Sequence, residues 1–272
     1  MSEAGHDLLA RAGRSLARAM FGLRVTVLGE PLPSRRERDD SQPLLLLANH
    51  PTWLDALLLA SAWRREHLFV VQPDAAGRPK RVTRMIHRLA EKQPGTDLLV
   101  STADTSDAAA RRIGEHLRAR QHVAAFPEMM RSAGPFANDQ LDLAMFDVAR
   151  DIGSAVQTRP VTLLGGFRVW PAWQRWRVPR LAPVEVIIHP PLPATAGRDE
   201  LAARWREAVN APLLDWFRRH TPRTDVSLWF FGRGLRMPRW RHGPRQPEVE
   251  LGVQLGLVPR EGTLRVPGQP RP

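Results

Sequence analysis

The chain has 272 residues, a formal net charge of +12, 43% hydrophobic and 25% charged residues, and no cysteine. That length and apolar content suit one large α/β domain or a domain with appendages and exclude wholesale disorder. The missing cysteine excludes disulfides, a thiolate nucleophile and cysteine-ligated zinc.

Residues 7–24 have helical spacing, with Leu8, Ala12, Leu16 and Met20 on one stripe and Arg11, Arg14 and Arg18 on a second, basic row. This is the pattern of an interfacial amphipathic helix, and equally of a helix packed on its own domain. Alternating signals follow. Leu23–Leu28 reads as a strand, Ser34 to Gln42 as a polar loop, Leu44–Ala48 as a short buried strand and Trp53–Trp63 as a helix. Strands over His67–Gln72, Leu98–Ser101 and Val123–Phe126 alternate with helices over Val82–Lys92 and Ser106–Arg120. A helix over about Leu141–Ile152, strands at Pro160–Leu164 and Val184–His189, and a helix from Asp199 to about Arg219 complete the pattern. Such alternation predicts an α/β fold with a mixed, largely parallel sheet flanked by helices. From Pro222 onward the chain becomes rich in Pro, Gly and Arg. The expected organisation is therefore an amphipathic helix (1–24), a main domain (25–221) and an extension of unknown role (222–272).

No segment approaches the run of about 18 apolar residues that spans a bilayer, and the start of the chain lacks a secretory h-region. The positive charge points to an anionic partner, nucleic acid or lipid headgroups. Only Lys80 and Lys92 of the 40 basic residues are lysines, an arginine excess typical of GC-rich bacterial coding. Nucleic acid is disfavoured because no recognition motif or aromatic stacking platform accompanies the charge.

Two motifs carry chemistry. Asn49-His50-Pro51-Thr52-Trp53-Leu54-Asp55 lies between a strand and the helix that follows. On one continuous helix His50 and Asp55 would point about 140° apart, but a strand-to-helix turn bends the chain between them. An imidazole takes a proton near neutral pH, and a carboxylate on its other nitrogen fixes the tautomer and stabilises the imidazolium. Thr52-x-x-Asp55 also has the form of a capping box, which would account for Asp55 structurally. The second motif, Phe126-Pro127-Glu128-Met129-Met130-Arg131-Ser132, follows an apolar strand. There a guanidinium suits bidentate phosphate contact, and a surface ion pair between Glu128 and Arg131 is the alternative. Val169 to Arg177 mixes Trp with Arg, an interfacial composition. His87, His116 and His122 share no metal-ligand spacing, and no P-loop, GxGxxG or zinc pattern is present, so no cofactor is expected.

In order and spacing the two motifs resemble those of the glycerolipid acyltransferase superfamily, N-H-x-x-x-x-D followed by F-P-E-G-T-R-S. Arg159-Pro160-Val161 resembles a third family element, a strand ending in Pro-Val. The stretch from Val100 to Glu128 is similar to the acyltransferase domain of the bifunctional 2-acylglycerophosphoethanolamine acyltransferase/acyl-carrier-protein synthetase. The resemblance covers roughly residues 8–221. Met129 stands where the family has Gly, and Val100-Ser101-Thr102-Ala103 lacks the Arg or Asp usual in the family's second block.

The resemblance implies the glycerolipid acyltransferase fold and transfer of a fatty acyl group from acyl-CoA or acyl-carrier protein to the free hydroxyl of a lysophospholipid. The acceptor would be 1-acylglycerol-3-phosphate or 2-acylglycerophosphoethanolamine. It implies His50 and Asp55 as catalytic residues, with Asn49, Glu128, Arg131, Ser132 and Pro160 binding substrate. It further implies a peripheral position on an anionic membrane surface, at the cytoplasmic face of the inner membrane. A relative that binds lipid surfaces without catalysis is the alternative.

Overall fold

The computed structural model of the protein describes residues 15, 18–32, 42–52, 54–62, 68–73, 96–101, 106–128, 137, 141–169 and 182–220. The chain divides into two compact units, Met1–Leu213 and Leu214–Pro272. The first contains the sheet and the predicted chemistry.

Seven strands form one sheet: β1 (Arg24–Val27), β2 (Leu44–Ala48), β3 (Leu68–Pro73), β4 (Thr96–Ser101), β5 (His122–Ala125), β6 (Gln157–Leu164) and β7 (Glu185–Ile188), in the spatial order β1-β7-β6-β2-β5-β3-β4. The helices are α1 (Asp55–Ala62), α2 (Ser106–Arg118), α3 (Ala144–Ile152), the single turn α4 (Gly166–Val169) and α5 (Arg198–His220). Five strand pairs are parallel, and β6 and β7 are antiparallel. The expected mixed, largely parallel α/β sheet is what the chain forms.

β2 sits between β5 and β6 and is buried along its whole length. A central parallel strand is covered on both faces, which is why its sequence is an unbroken apolar run with no alternation. Leu44, Leu46 and Ala48 meet Ala56, Leu59 and Ala62 of α1, together with Val161 and Leu163 of β6 and Val186 and Ile188 of β7. Side chains alternate across a strand, so Thr162 points to the opposite face, where its hydroxyl donates to the Val209 carbonyl of α5 at 3.0 Å. The Trp205 indole of α5 donates to the Leu47 carbonyl at 2.8 Å and meets Phe146 of α3 edge-on. These contacts hold the strand from which the site grows.

Several expected boundaries move. The helix expected over 7–24 has ended by Phe21: Phe21–Gly22 form a turn, with Gly22 at φ +46°, and β1 begins at Arg24. Arg18, on the expected basic row, donates to the Ser61 and Ala62 carbonyls at 3.0 Å each, as in the reading of a segment packed on its own domain. A cation there satisfies carbonyls at the end of α1 that have no partner within their own helix and complements the helix dipole. Met20, at the end of the apolar stripe, is 44% exposed. The helix expected from Leu141 begins at Ala144, because Leu141 forms an antiparallel bridge with Glu128 and the Asp142 N–H donates to the Pro127 carbonyl at 2.6 Å. The expected helix Val82–Lys92 and the Trp-rich segment 170–177 lie outside the described residues. No helix among the described residues is long and apolar enough to cross a membrane.

Candidate active site

β2 runs parallel to both of its neighbours, β5 and β6, so the carboxyl ends of the three strands open on the same edge of the sheet. Crevices at such edges are where open α/β sheets place ligands. Asn49 continues β2 past its last ladder pair. Its N–H donates to the Val161 carbonyl at 3.2 Å, and its Oδ1 accepts the Leu163 N–H at 2.6 Å. The Asn49 side chain thus takes the place of the next strand residue and ties β2 to β6. Its buried Nδ2 makes no hydrogen bond to the described residues.

His50 follows, fully buried, with Nδ1 2.7 Å from Asp55 Oδ2. A carboxylate only accepts, so Nδ1 carries a proton toward it. The Thr52 N–H donates to the same Asp55 oxygen at 2.8 Å, and Thr52 Oγ1 accepts the Leu54 N–H at 3.4 Å. That is the carboxylate half of a capping box, in which an acidic side chain three residues on reaches back to the cap's amide, while the Thr52 hydroxyl meets the N–H two residues on. One Asp55 oxygen thus meets both the Thr52 amide at the start of α1 and the His50 imidazole. Phe126, at the end of β5, lies against the ring, with centroids 4.8 Å apart and a 34° tilt.

Glu128 is fully buried, so its carboxylate does not stand on the surface; its pairing with Arg131 falls outside the described residues. Its Oε1 accepts the His50 backbone N–H at 2.6 Å, a charge-assisted bond of the stronger kind. The carboxylate thus fixes the main chain of the histidine from the adjacent strand, a relation across 78 residues that motif spacing does not express. Pro160 lies within β6, paired with Leu47, three register positions and roughly 10 Å below His50. Its carbonyl accepts the His189 N–H at 2.9 Å. The structure brings His50, Asp55, Asn49 and Glu128 together and leaves Pro160 in the sheet; Arg131 and Ser132 lie outside the described residues. Nor do the described residues contain a group of three or more His, Asp or Glu able to hold a metal.

The motifs did not reveal Gly165-Gly166, which turns the chain out of β6 against the Pro51–Thr52 corner. A Gly-Gly pair directly after an apolar strand is a turn signal visible in the sequence, although nothing in it names the corner as the neighbour.

No protein-family model and no curated protein matches this chain. Among solved structures it is similar to the crystal structure of the 1-acyl-sn-glycerophosphate (LPA) acyltransferase, PlsC, from Thermotoga maritima. The TM-score is 0.54 and the identity 18%, over 81% of this chain and 84% of that one. At that identity the likeness is one of fold, and the chain has the α/β fold of this glycerolipid acyltransferase.

Proposed function

We propose that this protein is an acyltransferase that moves a fatty acyl group from acyl-CoA or acyl-carrier protein to the free hydroxyl of a lysophospholipid, with His50 as general base. The observation that carries the reading is the buried 2.7 Å contact between His50 Nδ1 and Asp55 Oδ2, at the carboxyl edge of a sheet whose fold is shared with an LPA acyltransferase.

In this mechanism Nε2 takes the proton of the acceptor hydroxyl as its oxygen attacks the thioester carbonyl carbon. Asp55 holds the ring and stabilises the imidazolium. The carbon–sulfur bond then breaks, and the imidazolium returns its proton to the departing thiolate. No acyl-enzyme is needed, in keeping with a sequence that has neither Cys nor the G-x-S-x-G elbow. Burial of the base keeps bulk water from competing with the acceptor for the thioester. Glu128 fixes the His50 main chain, while Arg131 and Ser132 receive the acceptor phosphate, a role that rests on the motif they share with the family. The +12 charge supports a peripheral position on an anionic lipid surface; we place that surface at the cytoplasmic face of the inner membrane.

Thioester release measured across a panel of lysophospholipids, with CoA and carrier-protein donors in parallel, tests the reading. Acceptor-dependent release identifies the headgroup and donor. Lysophospholipid binding with no thioester consumed by any pair would refute the enzyme and leave a lipid-surface binding protein. Salt-sensitive co-sedimentation with anionic vesicles is expected, and binding indifferent to both salt and lipid charge would remove the electrostatic part.

A further inference from the structure

We propose that Gly166 is a positioning residue for the His50–Asp55 pair: its missing side chain sets how closely α4 packs on the Pro51–Thr52 corner, and so where Asp55 Oδ2 stands. The inference rests on the reading of His50 as the base. A Cβ at position 166 would lie 3.0 Å from Pro51 Cγ, 3.4 Å from Thr52 Cγ2 and 3.6 Å from Asp55 Oδ1. The first of these is well inside ordinary carbon–carbon contact, and the atom it meets belongs to a closed ring that cannot rotate away.

The α4 side of this contact is held at both ends, so the corner must give. On the α4 side, Val169 is 1% exposed and packs with Leu54 and Leu58, so the turn is anchored to the helix it faces. Its other end is fixed by Gly165, whose φ of +89° favours glycine and whose Cβ would stand 2.6 Å from the Pro183 carbonyl oxygen. On the corner side, the Thr52 N–H donates to Asp55 Oδ2, the oxygen that also meets His50 Nδ1. A methyl at 166 therefore moves Pro51 and Thr52, and the displacement passes through one shared oxygen to the imidazole. A 3.0 Å contact asks its neighbour to give by a few tenths of an ångström, and since about 1 Å of misplacement at a reacting group lowers rates by about a hundredfold, a part of that factor, up to roughly tenfold, is expected.

The two neighbouring glycines thus have different duties, and the difference can be tested. Gly166→Ala is expected to lower kcat by up to ~10-fold with KM nearly unchanged. In a Pro51→Ala background, which removes the ring carbon the methyl would strike, the same change should cost less than ~3-fold. The low-field proton resonance of His50 Nδ1, assigned by its loss in His50→Ala, should shift in Gly166→Ala and move back toward its original position in the double variant. Gly165→Ala, by contrast, should lower Tm and soluble yield with no relief from Pro51→Ala.

The resonance is read without substrate. If the native protein consumes no thioester, the acyltransfer reading has failed while the role of Gly166 is still decided by the proton. Unchanged kcat and resonance in Gly166→Ala would overturn the proposal, as would an equal loss in both backgrounds. If Gly166→Ala does not fold, a double variant that folds supports the contact with Pro51; a double variant that also fails assigns Gly166 to the fold and overturns the positioning role.

Discussion

His50 and His189 are both buried at the sheet, each next to β6, and each has one ring nitrogen in a hydrogen bond, yet their partners differ in kind. His50 Nδ1 meets a carboxylate. His189 Nε2 lies 2.9 Å from Thr162 Oγ1, whose own proton goes to the Val209 carbonyl, so the threonine accepts and Nε2 must carry the hydrogen. A carboxylate stabilises an imidazolium, whereas a hydroxyl already committed as a donor offers it much less. Burial accordingly pushes the His189 pKa down to about 4, and His189 is a neutral strut joining β6, the end of β7 and α5. Burial alone therefore does not single out the histidine proposed as the base; the acceptor opposite the ring is what sets the two apart.

The largest effect that separates the two should come from removing each ring. His50→Ala is expected to lower acyl transfer by about 10²–10⁴-fold or to baseline, with circular dichroism unchanged. His189→Gln, whose amide can still reach Thr162, should keep kcat within a few-fold. Comparable loss in both variants would dissolve the distinction.

Asp55→Asn removes the charge but leaves an oxygen to accept the Thr52 N–H. Activity should drop by orders of magnitude, on the order of that seen when a catalytic histidine loses its carboxylate, while Tm changes little. Asp55→Ala should add the cost of a lost cap, about 1 kcal/mol. A large fall in Tm with Asp55→Asn would mean that the cap, and not the histidine, depends on the charge.

Glu128→Gln is expected to have a smaller effect. An amide oxygen can still accept the His50 N–H, so at that bond what is lost is the charge assistance, about 1–1.5 kcal/mol and roughly tenfold in kcat. Glu128→Ala should cost more, because the buried N–H loses its partner. Equal rates in the two variants would show that the carboxylate does more than hold the backbone.

The smallest effect concerns stability against pH. The folded pKa of His189 lies below the ordinary value of 6.5, so as pH falls the unfolded chain takes up the proton first. Stability that is complete above about 6.5 is therefore lost between 6.5 and 4, and this contribution levels off below 4. The loss is on the order of 2 kcal/mol, several degrees of Tm. His189→Gln should flatten that part of the profile, and an identical slope in the variant would assign the acid sensitivity to other groups.

Much of this molecule is written locally. The unbroken apolar run Leu44–Ala48 can only be a strand covered on both faces, and the turn after it brings His50 and Asp55 within reach because five residues suffice to bend the chain. Periodicity likewise yields α2 and α5 to within about a residue or two, as expected when an amphipathic face is long enough to register. Where local signals misled, a distant partner had intervened. Leu141 has helical spacing but bridges Glu128; and of the two readings left open for the basic row, the contact of Arg18 with the far end of α1, more than 40 residues on, fits packing on the domain.

The sequence by itself thus determined the layer architecture, the strand-to-helix corner and the identity of the histidine and carboxylate on it, because each depends on a few consecutive residues. Only the tertiary structure decided that Glu128 holds the His50 amide across 78 residues, that Asn49 holds Leu163 across 114, and that Gly166 lies against Pro51 and Thr52. Strand order sets those meetings. Parallel neighbours are joined through long crossovers, so which chain ends share an edge is settled by how the whole sheet closes around its core and not by any local run of residues.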